Sequence, residues 1–134
     1  MANNKIQNIE EEFKHPNQWR RLTAQRLIYE NQDKSLSPRL RKLISDKNDF
    51  ARLHALWSLN GLEVIKPEDL LMGLSDKNPK IRENVIRIAE ESGFIRDPLI
   101  QKKLIDLADD TDPTVRFQVA LTLGKIEATP STHR

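Results

Sequence analysis

Apolar residues recur along the chain at intervals of three and four positions, which is the spacing of one face of an α-helix. The clearest stripe runs through Ala51, Ala55, Leu59 and Leu62, and similar stripes lie before and after it. No segment alternates apolar and polar residues for long enough to predict a strand. The pattern predicts an all-α chain of eight helices, over residues 4–14, 17–31, 36–45, 49–60, 67–75, 79–92, 98–108 and 113–126.

Five of the seven prolines mark predicted helix starts. Proline suits the first helical position, because its missing N–H would be unpaired there and its φ is already helical. A serine, asparagine or aspartate before it can accept hydrogen bonds from the first turn, whereas a lysine cannot. The dipeptides are Ser37-Pro38, Lys66-Pro67, Asn78-Pro79, Asp97-Pro98 and Asp112-Pro113, and Asn17 after Pro16 is a further candidate cap.

The chain also contains an internal repeat. The segment 45–49 recurs as 75–79, and a looser copy lies at 109–113. Each copy leads into an arginine, and an aspartate stands six residues before that arginine. A period of about 30–35 residues built from helix pairs is typical of an α-solenoid, in which stacked neighbours cover the apolar face that one pair leaves open. The pairs are Asp46/Arg52, Asp76/Arg82 and Asp110/Arg116.

The segment from Asp112 to Ile126, with Asp-Pro-Thr-Val-Arg and then Leu-Gly-Lys-Ile, resembles the HEAT repeat. Residues 78–89 and 49–62 are similar to it, whereas at Trp19-Arg20-Arg21 the register is ambiguous by one residue. The resemblance covers roughly residues 4–126 and implies a right-handed α-solenoid, or α-α superhelix. We expect a single repeat domain over 1–126, with helix pairs at 4–31, 36–62, 67–92 and 98–126, and a disordered tail at 127–134.

A narrower resemblance rests on residues 15–19, 23–27 and 51–59. These strings are similar to the HEAT segment of large exported bacterial proteins, where it lies between a propeller-type, sugar-dehydrogenase-like domain and a c-type cytochrome domain. The resemblance implies an excised spacer that would be exported or periplasmic, whereas a full-length chain would be cytoplasmic. Residues 1–14 lack the apolar region of a signal peptide.

Composition excludes several kinds of chemistry. The 134 residues include no cysteine, so disulfides, zinc-thiolate sites, covalent c-type haem and cysteine nucleophiles are excluded. The three histidines, His15, His54 and His133, have no metal-site spacing. No glycine-rich phosphate loop or catalytic motif occurs. We therefore predict a non-enzymatic chain without a catalytic residue, cofactor or metal.

The charges are nearly balanced, with 22 Lys and Arg against 20 Asp and Glu. HEAT-like alkylpurine DNA glycosylases resemble this architecture, which leaves a nucleic-acid-binding domain as the alternative. The N-terminal basic residues alternate with acidic ones such as Glu10, Glu11 and Glu12, so no one-sided basic stripe appears. We favour a protein partner, or flanking domains of the same parent chain. The basic residues are Lys14, Arg20, Arg21, Arg26, Arg39, Arg41 and Lys42.

Two sets of residues are candidates for a functional role. In HEAT solenoids the second helices line the concave surface, so the resemblance implies a partner-binding face there. The Asp–Arg pairs, in contrast, are expected to form a structural ladder that sets the repeat register. Trp57 is either a recognition anchor or a filler between adjacent helices. The candidate face is Arg21, Gln25, His54, Trp57, Asn84, Arg87 and Gln118, and the ladder is Asp46, Arg52, Asp76, Arg82, Asp110 and Arg116.

The last predicted helix carries more apolar residues than one buried face needs. Val115 and Val119 fit the inward stripe, whereas Phe117, Leu121 and Leu123 are additional to it. A terminal repeat normally has a polar outer face. We therefore expect an open C-terminal edge and weak self-association through it.

Overall fold

The computed structural model describes residues 8–128, which form eight α-helices and two short 3₁₀ turns and contain no strand. The prediction of an all-α fold is confirmed, and the right-handed superhelix stays a prediction. The start of the first predicted helix lies outside the described residues. The helices are α1 (Ile9–Phe13), α2 (Gln18–Asn31), α3 (Ser37–Leu43), α4 (Asp49–Gly61), α5 (Pro67–Leu74), α6 (Pro79–Ser92), α7 (Pro98–Leu107) and α8 (Pro113–Ala128).

Side-chain caps explain why the second helix of each pair begins where it does. Asn17, Asn48, Asn78 and Asp112 each accept a hydrogen bond from a backbone N–H in the first turn that follows, at 2.8–3.0 Å. These caps satisfy N–H groups that have no partner within the helix. Asp97 caps α7 in the same way, through Leu99 and Ile100.

Two of the predicted starts differ from the expected form. Ser37 is the first residue of α3 rather than its cap, because the 3₁₀ turn Lys34–Leu36 runs directly into the helix. Its hydroxyl instead donates to the Lys34 carbonyl at 2.6 Å. Before α5, Lys66 offers no side-chain oxygen, and the Asp69 carboxylate reaches back to accept from the Lys66 N–H at 2.9 Å. This is the reciprocal half of a capping box.

The contacts divide the chain into two compact units, Met1–Asp69 and Leu70–Arg134. The prediction of a single domain of four pairs is not tested by this division and stays a prediction. In the first unit α2 packs against α4, and in the second α6 packs against α8. The core of the first unit includes Ile9, Phe13, Ile28, Leu40, Leu56 and Leu59, and that of the second includes Leu74, Ile81, Ile86, Ile100, Leu104 and Val115.

The last helix is longer than predicted and partly uncovered. It continues to Ala128, so Glu127 and Ala128 are helical rather than part of a tail, and residues 129–134 lie outside the described part of the chain. Val115 and Val119 are buried, whereas Phe117 is 63% exposed and Leu121 is 45% exposed. Of the three extra apolar residues of α8, Phe117 and Leu121 therefore face outward, whereas Leu123 is half-buried.

Two glycines make a matched test of backbone conformation. A Cβ at Gly93 or at Gly124 would meet nothing within 4 Å, but Gly93 has a φ of +86° and Gly124 lies inside α8. We expect Gly93→Ala to destabilise the protein by about 1 kcal/mol and Gly124→Ala to stabilise it by about 0.5–1 kcal/mol. Urea unfolding of both variants measures the difference. Equal effects of the same sign would contradict the left-handed ending of α6.

Candidate interaction site on the second helices

One aspartate organises the loop that leads into each of the second helices α4, α6 and α8. Asp46 Oδ1 accepts from the Asn48 N–H at 2.9 Å, and Asp76 and Asp110 accept from the equivalent N–H groups at the same distance. The arginine six residues later donates Nη1 to the backbone carbonyl of that aspartate, at 2.9 Å from Arg52 and 2.7 Å from Arg82 and Arg116. Within a repeat, the arginine therefore bonds the main chain of its aspartate.

The carboxylate of Asp110 also joins two repeats. Arg82 donates Nε and Nη2 to its two oxygens, at 2.9 Å and 2.8 Å. The two side chains are only 13% and 7% exposed, so this is a partly buried, bidentate ion pair. Burial raises the pKa of Asp110. Hydrogen bonds from Arg82 and the Asp112 N–H lower it by more than burial raises it, so the net pKa lies below the usual value. In the first unit, Asp46 pairs with the more exposed Lys14 at 3.1 Å.

His15 takes the place of the aspartate in the first repeat. Its Nδ1 accepts from the Asn17 N–H at 3.0 Å, as Asp46 Oδ1 accepts from Asn48. Arg21 donates Nη1 to the His15 carbonyl at 2.7 Å and to the Pro16 carbonyl at 3.0 Å. These contacts identify Arg21, rather than Arg20, as the repeat arginine. The sequence left this register open, because a search for aspartates cannot find a histidine in the same role.

Arg21 also connects α2 to α4 through buried polar groups. Its Nε donates to His54 Nε2 at 3.2 Å, and His54 Nδ1 lies 2.7 Å from Gln25 Oε1. The guanidinium carbon lies 3.6 Å from the centre of the Phe50 ring, which is a cation–π contact. Because arginine only donates, His54 is neutral with its proton on Nδ1. Burial, and then the Arg21 charge, lower the pKa of His54 to about 4.

A second polar chain connects α6 to α8. Gln118 Oε1 accepts from Arg87 Nε at 3.4 Å, and Gln118 Nε2 donates to Thr122 Oγ1 at 3.2 Å. The Thr122 hydroxyl donates to Glu90 at 2.6 Å, and Lys125 pairs with Glu90 at 3.0 Å. Both junctions between second helices are therefore made partly by polar side chains.

The predicted partner-binding face is only partly accessible. Arg21, His54 and Gln118 are 7%, 5% and 8% exposed, so they do not present their side chains to a partner. The physical reason is that they face a neighbouring repeat and make their hydrogen bonds there. Arg21 bonds His54, and Gln118 bonds Arg87 and Thr122. The other four residues keep accessible surface: Arg87 is exposed, and Gln25, Trp57 and Asn84 are half-buried.

Sequence reasoning did not single out an apolar groove between α1 and α2. It has a volume of about 370 Å³. Trp19 in this groove is 70% exposed. Trp19 stands two residues before Arg21, as Phe50 stands two residues before Arg52. Because Phe50 contacts the preceding repeat, this equivalence in the sequence could have indicated an apolar contact surface at Trp19. It is lined by Asn8, Glu12, Trp19, Arg20, Thr23, Ala24 and Leu27.

Acidic neighbours neutralise much of the N-terminal basic cluster. Arg39 pairs with Glu10 at 2.7 Å, and Arg41 pairs with Asp69 at 3.0 Å. Similar pairs join Arg20 to Glu12, Arg26 to Glu30 and Lys14 to Asp46. Within residues 8–128, no group of three or more His, Asp or Glu side chains could hold a metal ion. In the same span, no helix has the length and apolar character needed to cross a bilayer.

The comparisons with known proteins support the repeat assignment. Residues 67–132 match the family of HEAT repeats. No curated protein and no solved structure matches the chain. The findings support a HEAT-like repeat family and give no support to the narrower resemblance to dehydrogenase and cytochrome proteins.

Loss of the buried ion pair should destabilise the fold more than loss of an exposed one. Asp110→Ala removes a turn hydrogen bond and leaves Arg82 partly buried without its carboxylate, so we expect a loss of about 2–4 kcal/mol. Asp46→Ala removes the same type of turn bond and an exposed pair, and should cost about 1 kcal/mol. Denaturant unfolding measures both. Equal losses would show that the turn bond, rather than the pair, stabilises the repeat.

His54 should make stability depend on pH. Its pKa of about 4 lies below the ordinary 6.5, so the unfolded chain binds the proton first. The stability is fully present above pH 6.5 and falls by about 2 kcal/mol as the pH drops towards 4. His54→Gln keeps an acceptor for Arg21 and a donor for Gln25 but does not titrate. The difference in unfolding free energy between the two proteins, measured at pH 7 and pH 4.5, should therefore change. A constant difference would contradict the neutral buried histidine.

Proposed function

We propose that the chain is a non-catalytic HEAT-type interaction module, in which the second helices present a face to a protein partner. HEAT repeats generally act as scaffolds or interaction modules. The observation that carries the proposal is the division of labour on these helices. One set of side chains is committed to contacts between repeats, and a second set, at different positions, keeps accessible surface.

Trp57 is the strongest member of the second set, and Arg87 at the equivalent position keeps accessible surface while it also bonds Gln118 of the next repeat. Aligning the repeats on their arginines gives both residues the same position, on α4 and on α6. Tryptophan and arginine are enriched among residues that dominate binding energy. Trp57 is half-buried, which limits the rotamer freedom that it would lose on binding. Arg87 is exposed and held by Glu83 one turn earlier.

The role of a spacer between domains is the narrower form of this proposal. It rests on the resemblance of residues 15–19, 23–27 and 51–59 to exported bacterial proteins. A stack of helix pairs suits a spacer, because each pair adds a fixed increment of length. Sequencing the gene on both sides of this segment tests the idea, and in-frame dehydrogenase-like and cytochrome-like domains are the expected result.

Nucleic-acid binding is less favoured by the charges. Affinity for duplex DNA depends on cations that are free to replace counterions at phosphates. Here Arg20, Arg39 and Arg41 each pair with a carboxylate. A basic face would therefore first have to give up its own acidic partners.

The test of the proposal is affinity capture with the immobilised protein from a lysate of its source. We expect a partner retained by the wild type to be weakened by about tenfold or more with Trp57→Ala, the effect of removing a hot-spot residue. Trp19→Ala is the matched control, because it removes the other tryptophan on a different face. Identical retention by Trp57→Ala would remove Trp57 as the anchor. Retention of DNA alone, lost on raising the salt, would contradict a protein-binding module.

A further inference from the structure

The α2–α4 junction of the first unit and the α6–α8 junction of the second unit follow one rule. The downstream face of a second helix, meaning the side that meets the following repeat, is formed by Arg21, Gln25 and Tyr29 on α2 and by Arg87 and Glu90 on α6. The upstream face, which meets the preceding repeat, is formed by residues of α4 and α8. They are Phe50, His54 and Gly61 on α4, and Gln118, Thr122 and Lys125 on α8.

Aligning the repeats on Arg21, Arg52, Arg82 and Arg116 makes these positions coincide. His54 and Gln118 share one upstream position, as do Gly61 and Lys125, and Tyr29 and Glu90 share one downstream position. Both junctions thus use the same places on the helix, although the residue types differ. At the α2–α4 junction a large residue faces a small one, since the Tyr29 ring lies 3.2 Å from where a Cβ on Gly61 would be, whereas at the α6–α8 junction the same positions hold the Glu90–Lys125 ion pair.

The same alignment identifies two faces that meet no other repeat within residues 8–128. The upstream face of α2 is Trp19, Thr23, Leu27 and Glu30, and its first three residues line the groove between α1 and α2. The downstream face of α8 is Arg116, Ala120, Leu121 and Gly124, with Phe117 beside it. Trp19 is 70% exposed, Phe117 63% and Leu121 45%, so both faces carry uncovered apolar side chains.

These two faces complement each other by the rule that the internal junctions obey. Arg21 stacks on Phe50 at 3.6 Å while its Nη1 bonds the His15 carbonyl. Arg116 is exposed, and its Nη1 bonds the Asp110 carbonyl in the same way. Within residues 8–128 its other N–H groups make no hydrogen bond, although its charge acts on the Asp110 carboxylate. Trp19 stands where Phe50 stands, and tryptophan offers the best aromatic face for a cation.

The sizes of the facing residues also fit. The groove that Arg116 would approach contains Glu12, whose charge is already paired with Arg20 in the same lining. Gly124, which is small, would face Glu30, which is large, and this is the Tyr29–Gly61 combination with the two sizes exchanged. Ala120 adds little bulk, so α8 of one copy can approach α2 of another closely. A foreign partner would need to supply an arginine and a matching helix surface, whereas a second copy of this chain already has both.

We propose that copies of this chain associate head to tail, with the downstream face of α8 on one copy seated in the α1–α2 groove of the next and Arg116 stacked on Trp19. The contact is heterologous, because the two faces differ, so copies add end to end rather than pairing symmetrically. The inference goes beyond the proposed function, since it uses the two end faces and not Trp57 itself, although Leu121 on α8 holds the position that Trp57 holds on α4.

The test is sedimentation velocity of the full chain from about 5 to about 500 µM, a range that covers weak association. We expect the wild type to sediment faster as its concentration rises. Trp19→Ala and Phe117→Ala/Leu121→Ala change only exposed side chains and should stay folded by circular dichroism. Each should weaken association by about tenfold or more. Leu99→Ala, which removes an exposed leucine of α7 on neither face, is the control that should leave association unchanged.

Mixing the two variants decides the geometry. Trp19→Ala keeps an intact α8 face, and Phe117→Ala/Leu121→Ala keeps an intact groove, so an equimolar mixture should form a one-to-one dimer and no larger species. A symmetric α8–α8 contact would instead leave Trp19→Ala fully associating and give no complementation, and that result overturns the proposal.

A wild type that stays monomeric throughout the concentration range would also overturn the proposal. Removal of residues 1–7 then identifies what covers the groove. If the truncated chain associates, this segment is the occupant, and if it does not, the faces fit a different protein. Neither outcome alters the test of Trp57 by affinity capture.

Discussion

The arginine in the first turn of each second helix is the residue on which the arrangement of repeats depends. Its Nη1 closes the loop inside its own repeat in all four cases, through the carbonyl six residues earlier. At two positions its remaining surface also reaches the following repeat, with Arg21 bonding His54 and Arg82 bonding Asp110. One planar side chain with five donors can make both kinds of contact, which lysine cannot do. It therefore links local loop geometry to the stacking of neighbours.

This constraint explains why polar residues on the second helices are not, in general, recognition residues. Burying an arginine or a histidine is costly unless its hydrogen-bonding groups are satisfied. The structure meets that requirement by placing His54 and Gln25 beside Arg21, and Gln118 and Thr122 near Arg87 and Glu90. Such contacts favour one register between helices, since apolar surfaces alone would tolerate sliding. What remains for a partner is the surface that the junctions leave uncovered.

The uncovered surface follows from the same rule. In an array, the neighbours of an interior repeat cover both of its faces. The upstream face of α2 and the downstream face of α8 are not covered by another repeat within residues 8–128. The exposed side chains of Trp19 and Leu121 occupy the positions of Phe50 and Arg87, which contact a neighbouring repeat, and Phe117 is exposed beside Leu121 on α8. Hydrophobic surface at the ends of a repeat array is thus expected from the construction of the fold, and the residue types at each end decide what can cover it.

The sequence by itself determined the number, type and approximate bounds of the helices and the repeat period. These are local properties: apolar spacing, proline and cap chemistry act within a few residues, as the caps Asn17, Asn48 and Asn78 show. The sequence also identified the Asp–Arg pairs, but not which atoms meet. Only the tertiary structure decided that Arg82 pairs with Asp110, that His15 replaces an aspartate, and that Arg21, His54 and Gln118 are buried. The reason is that each of these depends on which helix faces share a junction, and that is decided by packing between residues about 30 positions apart, beyond the reach of any local pattern.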